Sequence, residues 1–128
     1  MIDASRESAI LARITKIPIF AALRMESLSF ESGQCELRVP RQPMYDGVFE
    51  SVHGGILMTI ADSAACFAIL TLTPPGQIMT TTDMNIRFLA PCLTGVHVKA
   101  RVVKQGRLMC PVAVDLFDTA GKDRKSVV

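Results

Sequence analysis

The chain has 128 residues, of which 49% are hydrophobic and 20% charged. This is the composition of a globular protein, and the length predicts one domain over residues 1–128. The net charge of +2, without a basic run or an aromatic platform, argues against nucleic-acid binding. Five charged residues within the first twenty argue against a signal peptide. Asp62 interrupts the most apolar stretch well before the ~20 clean residues of a membrane span. We therefore expect a cytoplasmic protein without membrane contact.

The cysteines and histidines show no spacing typical of a metal or redox site. Cys35, Cys66, Cys92 and Cys110 form no Cys-x-x-Cys pair, and His53 and His97 are far apart in sequence. We therefore expect free thiols, no metal and no redox cofactor.

The first predicted element is a short amphipathic helix. Residues 4–17 carry apolar residues at helical spacing, with Asp3 or Ser5 available as N-cap and Pro18 ending the pattern. This predicts an N-terminal helical segment, residues 1–20. From residue 21 onward, alternating apolar positions around a turn at residues 31–34 predict a β-hairpin, and residues 40–50 have the composition of a loop.

A long helix follows, with a single acidic residue. Residues 56–70 are apolar on nearly every helical face except at Asp62, and the prolines and glycine of residues 74–76 end the pattern. We expect this helix to be buried. A buried carboxylate costs several kcal/mol unless it is paired or its pKa rises, so Asp62 is either a functional acid or a structural hydrogen-bond acceptor.

Strands are predicted again after the helix. Residues 79–89 alternate with period two, residues 96–102 do so as well, and a turn at Gln105–Gly106 leads to a further alternating stretch at residues 108–116. Residues 121–128 are polar for a strand and predict an edge strand or a frayed end. Three or four antiparallel strands after one buried helix, without intervening helices, predict an α+β fold in which an antiparallel sheet wraps around the helix.

The residues before the long helix can bind an oxyanion. Gly54 and Gly55 follow His53 and mark the turn into the helix, where the first N–H groups lack intrahelical acceptors. These groups can polarise a carbonyl oxygen, while Asp62 can activate water or attack an acyl carbon. An isolated Gly-Gly pair is, however, also typical of a plain turn.

The spacing also predicts where the site is assembled. Nine residues separate His53 from Asp62, which corresponds to roughly 13 Å of helix rise and about half a revolution, so the two ends point apart. A reacting atom that meets both must lie between two protomers, which predicts a two-fold dimer with composite sites.

Two motifs together resemble a known family. His53-Gly54-Gly55, followed by Asp62 in an Ala-Asp-Ser-Ala helix and by the segment Thr81-Thr82-Asp83-Met84-Asn85-Ile86-Arg87-Phe88-Leu89-Ala90-Pro91, is similar to the hot-dog-fold acyl-CoA thioesterases of the phenylacetic-acid-degradation (PaaI-like) type. The resemblance covers roughly residues 20–121. It implies a hot-dog fold and hydrolysis of an acyl-CoA to a carboxylic acid and free CoA, with CoA present only as part of the substrate.

The resemblance also implies roles for individual residues. Asp62 matches the general base or nucleophile, and Gly55 matches the glycine whose N–H polarises the thioester carbonyl. Thr81 matches a position near the attacking water, although threonine is also a common strand residue. His53 is expected to orient the loop, with Gly54 as a neighbouring substrate contact.

The substrate contacts expected from this resemblance are less specific. Candidates for the CoA phosphates are Arg87, Lys104 and Arg107, although ordinary surface charge is the more common role for each of them. The acyl group would meet residues that can also be plain core: Tyr45, Phe49, Met58 and Cys66. Many relatives carry an Asn where this chain has Gly47, and Asp46, Glu50 or Ser51 could substitute for it.

The resemblance implies a homodimer as the minimum unit, with a homotetramer expected. Two other functions stay open at this point. One is a non-catalytic acyl-CoA-binding or regulatory oligomer, since the family Asn is absent. The other is a hydroxyacyl-thioester dehydratase, which typically needs a histidine base beside its acid.

Overall fold

Two short helices open the described part of the chain. The structure is a computed structural model that describes residues 2–74 and 76–119, apart from the side chain of Leu28. Helix α1 spans Ala4–Ile14 and helix α2 spans Pro18–Ala22. Asp3 caps α1 by accepting a hydrogen bond from the Arg6 N–H at 2.8 Å. The first helix is shorter than the predicted residues 4–17, because Pro18 starts a second helix at a position where its missing N–H costs no hydrogen bond.

Within the described part of the chain, four antiparallel strands form one sheet in the order β1-β2-β3-β4. The strands are β1 (Glu26–Glu31), β2 (Gln34–Val39), β3 (Val96–Val102) and β4 (Val112–Asp118). The predicted hairpin turn between β1 and β2 is confirmed, with Gly33 at φ +72°. Leu37, Val98 and Leu116 lie side by side across β2, β3 and β4, and all three are fully buried.

The long helix α3 spans Gly54–Leu70 and packs against the inner face of β2, β3 and β4. Its sheet-facing side is buried and consists of Leu57, Ile60, Ala61, Ala64, Phe67, Ala68 and Leu70. One long helix on an antiparallel sheet, with short helices before it, confirms the predicted α+β arrangement. Within the described residues, no helix has the length and apolarity needed to cross a membrane.

The predicted strand at residues 79–89 is wrong for the described chain. Residues 77–89 are in neither helix nor sheet, and only two strands, β3 and β4, follow α3 among the described residues. The last predicted strand also starts later, at Val112, because residues 103–111 form the connection from β3. A period-two pattern of apolar residues predicts which side chains share a face of a strand. It does not show that a partner strand is present to form the sheet hydrogen bonds. The predicted tail element, residues 121–128, lies outside the described residues.

Candidate active site

The amino-terminal end of α3 is capped by His53. Its Nδ1 accepts a hydrogen bond from the Gly55 N–H at 2.9 Å, and its carbonyl accepts from the N–H groups of Ile56 and Leu57. A Cβ on Gly55 would lie 3.2 Å from His53 Nδ1, so glycine allows the imidazole to approach this closely. His53 thereby fixes the turn into the helix. To polarise a substrate carbonyl, the Gly55 N–H must share or exchange its bond to His53.

A cleft of about 380 Å³ adjoins this end of the helix. One wall contains Ser51, Val52, Gly54 and Leu57, and the other is formed by residues 88–92. The Phe88 ring lies over Gly54, since a Cβ there would come within 3.3 Å of Phe88 Cζ. Glycine therefore lets the Phe88 ring pack closely on the first turn of α3, where the amides provide the positive end of the helix dipole.

Asp62 lies on the exposed side of α3, so the expectation that it is buried is wrong. The helix packs against one sheet only, and its opposite side carries Gly55, Met58 and Asp62, all exposed. The Asp62 carboxylate accepts a hydrogen bond from the Thr81 hydroxyl through Oδ1 at 2.5 Å. Two of the four predicted catalytic residues thus meet, although the strand expected to hold Thr81 is absent.

Gly55 and Asp62 lie on the same side of α3. They are seven positions apart, which is close to two full helical turns. The opposite orientation predicted from the nine positions between His53 and Asp62 therefore does not apply to Gly55. The two positions nevertheless remain about 10 Å apart along the helix axis. Within one chain, the structure therefore does not bring the Gly55 amide and the Asp62 carboxylate to a common point.

The loop at residues 46–52 contains the candidates for replacing the family Asn. Asp46 is bound to Arg41 through Oδ2 at 2.6 Å, while its Oδ1 is buried without a hydrogen-bond partner among the described residues. Glu50 has a φ of 57°, and the carbonyl of Ser51 accepts from the Gly47 N–H at 2.9 Å. A Cβ at Gly47 would lie 3.4 Å from His53 Cδ2, in ordinary contact with the ring.

The predicted acyl-contact residues divide between surface and core. Phe49 is 88% exposed and Met58 is 37% exposed. Tyr45 is buried and donates its hydroxyl to the Ala22 carbonyl at 2.7 Å, which makes it a core residue. Cys66 lies one turn beyond Asp62, and burial, together with the Asp62 charge, raises the pKa of its thiol. The prediction of free thiols is confirmed for all four cysteines.

The predicted phosphate contacts are all on the surface. Arg87, Lys104 and Arg107 are exposed, and none forms an ion pair with another residue in the described ranges. A larger cleft of about 590 Å³ lies at the opposite end of α3 and contains none of the predicted site residues. There, Arg6 donates to the carbonyls of Leu70 and Thr73, as basic side chains often do at helix carboxyl ends. We therefore assign the candidate site to the amino-terminal half of α3.

Arg41 was missed by the sequence analysis, although it contacts the site loop directly. Its guanidinium binds the Asp46 side chain, the Glu50 carbonyl and the Cys92 carbonyl. No local motif identifies such a residue, because its three partners come from two separate segments.

Comparisons with solved structures show the fold. The chain is similar to a thioesterase family protein from Silicibacter pomeroyi, with a TM-score of 0.89, 21% identity and coverage of 95% of this chain and 90% of that one. It is also similar to the E. coli PaaI protein from the phenylacetic acid degradation operon, with a TM-score of 0.86, 19% identity and coverage of 99% and 89%. The hot-dog fold implied by the motifs is therefore confirmed.

Sequence comparison shows the family. A candidate esterase from Saccharolobus solfataricus is 26% identical over 105 residues, which cover 81% of this chain and 74% of that protein. The family model described as Thioesterase superfamily matches residues 49–124, which include both His53-Gly54-Gly55 and Asp62. The chain therefore belongs to the thioesterase superfamily.

Proposed function

We propose that this protein hydrolyses acyl-CoA thioesters to a carboxylic acid and free CoA. Family membership supports thioester hydrolysis as the class of activity. The observation that carries the proposal is the contact between Thr81 and Asp62 on the exposed side of α3. It joins a carboxylate to a hydroxyl that can hold water, within reach of solvent.

Asp62 is the proposed general base or nucleophile. Thr81 donates its only hydroxyl proton to Oδ1 and keeps lone pairs that can accept a hydrogen bond from water. A water held between the Thr81 oxygen and the carboxylate can lose a proton to Asp62 as it attacks the thioester carbonyl. In the alternative route, Asp62 attacks the carbonyl itself, the C–S bond breaks and the CoA thiolate leaves, and water then hydrolyses the mixed anhydride to the carboxylic acid and regenerates Asp62.

Gly55 is the proposed donor to the oxyanion, with Gly54 and His53 beside it. Because Gly55 and Asp62 of one chain are about 10 Å apart along α3, one thioester carbonyl meets both only if they come from different protomers. We therefore propose a homodimer with two shared sites as the minimum unit and a homotetramer as the assembled form.

The exposed apolar surface supports an oligomer. Phe49 and Val48 are each 88% exposed, and Phe88 and Leu89 are also exposed on the neighbouring segment. Exposed large apolar side chains beside a cleft commonly mark a protein interface. In the oligomer, the three exposed cations Arg87, Lys104 and Arg107 are the proposed contacts for the CoA phosphates.

A binding protein without turnover is the second candidate function. It is favoured by the Gly55 N–H, which already donates to His53, and by glycine at position 47 in place of the family Asn. The dehydratase alternative has less support, because His53 uses Nδ1 to cap α3 and lies two helical turns or more from Asp62.

A panel of aromatic and aliphatic acyl-CoAs, read with a thiol-reactive dye, separates the candidates. We expect free CoA to appear with the wild-type protein and to be lost in Asp62→Asn, while acyl-CoA binding by calorimetry is retained. Binding without CoA release in the wild-type protein would instead support the binding function. Appearance of double-bond absorbance without thiol would support dehydration.

A further inference from the structure

The loop at residues 46–52 contributes Ser51 and Val52 to one wall of the cleft beside Gly54. Its tip carries Val48 and Phe49, both 88% exposed, so apolar packing within the chain holds Val52 at the end of the loop but not the tip. Glu50 has a φ of 57°, a backbone conformation that non-glycine residues adopt only when surrounding contacts enforce it. The position of the loop before Val52 therefore depends on polar contacts.

Arg41 supplies contacts to both walls of the cleft. Its Nη2 donates to Asp46 Oδ2 at 2.6 Å and to the Glu50 carbonyl at 3.1 Å, both in the loop. Its Nη1 donates to the Cys92 carbonyl at 3.3 Å, in the opposite wall. Arginine suits this role because its planar guanidinium presents several donors in a fixed geometry.

Backbone hydrogen bonds connect the segments that Arg41 contacts to the residues just before α3. The Cys92 carbonyl also accepts from the Val52 N–H at 2.9 Å, and the His53 N–H donates to the Tyr45 carbonyl at 2.8 Å. The ion pair is largely sheltered from solvent, with side-chain exposures of 29% for Arg41 and 15% for Asp46. Shielding of this kind strengthens the charge-assisted hydrogen bonds relative to a surface pair.

We propose that Arg41 is a positioning residue that joins the two walls of the cleft and thereby places the His53-Gly54-Gly55 turn for the thioester. Its catalytic part rests on the proposed function, whereas the joining of the walls does not. Arg41 acts through the loop and touches no reacting atom. Loss of its side chain releases residues 46–52 and moves the oxyanion donors out of alignment.

Hydrogen exchange tests, without a substrate, whether Arg41 joins the two walls of the cleft. In Arg41→Ala, we expect the amides of Gly47, Val52 and His53 to exchange at least about tenfold faster, while amides in the middle of α3 keep their protection. Arg38→Ala is the matched control, because Arg38 pairs with Glu26 at the same 2.6 Å but on exposed strand positions. Unchanged exchange at these three amides, or equal acceleration in the control, would overturn the proposal.

Steady-state kinetics test whether Arg41 positions the His53-Gly54-Gly55 turn for the thioester. The substrate is the acyl-CoA of the panel that wild-type protein hydrolyses fastest. We expect Arg41→Ala to lower kcat about tenfold or more, Arg41→Lys to recover only part of it, and Arg38→Ala to stay within about twofold of wild type. A purely structural role predicts instead a lower melting temperature with unchanged kcat for the folded fraction. That result would contradict the proposal that Arg41 positions the turn for the thioester. If wild-type protein releases no CoA from any substrate, the proposed function fails, and hydrogen exchange alone decides whether Arg41 holds the cleft.

Discussion

The contact between Thr81 and Asp62 joins residues that are 19 positions apart in the chain. At 2.5 Å, the Thr81 hydroxyl donates to Oδ1 and leaves the second carboxylate oxygen available to solvent. Within one chain, Asp62 is thus exposed beside a polar partner and does not lie in the apolar interior expected from its sequence neighbours.

Substitution of each partner tests this pair. We expect Asp62→Asn to lower kcat for acyl-CoA hydrolysis by about 10²–10⁴-fold, since the amide cannot accept a proton from water. Thr81→Val should lower kcat about tenfold through loss of water positioning. Thr82→Val is the matched control and should leave kcat near the wild-type value. A fully active Asp62→Asn variant would remove Asp62 from the chemistry.

The cysteines give a pH prediction at the same scale. Cys35 is 1% exposed, and burial raises the pKa of its thiol to about 12. The unfolded chain loses this proton near pH 8.5, so the free energy of unfolding should fall as the pH rises from there toward the folded value.

Alkylation of the native protein at about pH 8.5 checks the burial of Cys35 on which this prediction depends. We expect iodoacetamide to modify the half-buried Cys110 first and Cys35 only after unfolding, as read by mass spectrometry of tryptic peptides. Rapid native labelling of Cys35 would show that its thiol is neither buried nor raised in pKa.

Individual site residues were only partly predictable from the sequence. The motif identified Gly55 and Asp62, because glycines before a helix and a lone acid within it are visible locally. The burial of Asp62 was predicted wrongly, since burial depends on which side of α3 packs against the sheet. Arg41 was missed for a related reason, because its role depends on contacts with Asp46 and Cys92 that only the fold creates.

At the scale of elements, the helices were predictable from local sequence, and strands were predictable where the neighbouring strand follows directly in the chain. The β1–β2 hairpin and α3 follow from local alternation, glycines and prolines. Residues 79–89 have an equally clear alternation, yet they pair with no strand among the described residues. Their exposed apolar side chains, including Met84 and Phe88, support the proposed oligomer, in which this segment packs against another protomer.

The junction between α3 and the first hairpin offers a stability test. Thr71 is buried, accepts from the Gly33 N–H at 2.7 Å and donates to the Ala68 carbonyl at 2.7 Å. Thr71→Val keeps the shape but leaves a buried N–H without an acceptor, so we expect a loss of about 1–3 kcal/mol in the free energy of unfolding.

Urea unfolding with a matched variant checks this value. Thr15→Val removes a similar 2.7 Å bond to a helix carbonyl, but at an exposed position, and should cost less than about 0.5 kcal/mol. Equal costs for the two variants would mean that Thr71 does not stabilise the junction between hairpin and helix.

At the scale of the whole molecule, the separation of Gly55 from Asp62 makes the assembly part of the proposed chemistry. One chain offers an oxyanion donor and a carboxylate on the same side of α3, two helical turns apart. Two antiparallel copies of this helix face would bring the donor of each chain to the acid of the other. The shared site is therefore the central claim of the proposed mechanism.

Mixing two inactive variants tests that claim most directly. Gly55→Pro removes the donor N–H, Asp62→Asn removes the carboxylate, and co-refolding equal amounts makes half of all dimers mixed. Each mixed dimer retains one intact shared site, so we expect acyl-CoA hydrolysis at about a quarter of the wild-type rate. A mixture that stays as inactive as the separate variants, while size-exclusion chromatography and circular dichroism show folded mixed dimers, would contradict the shared site.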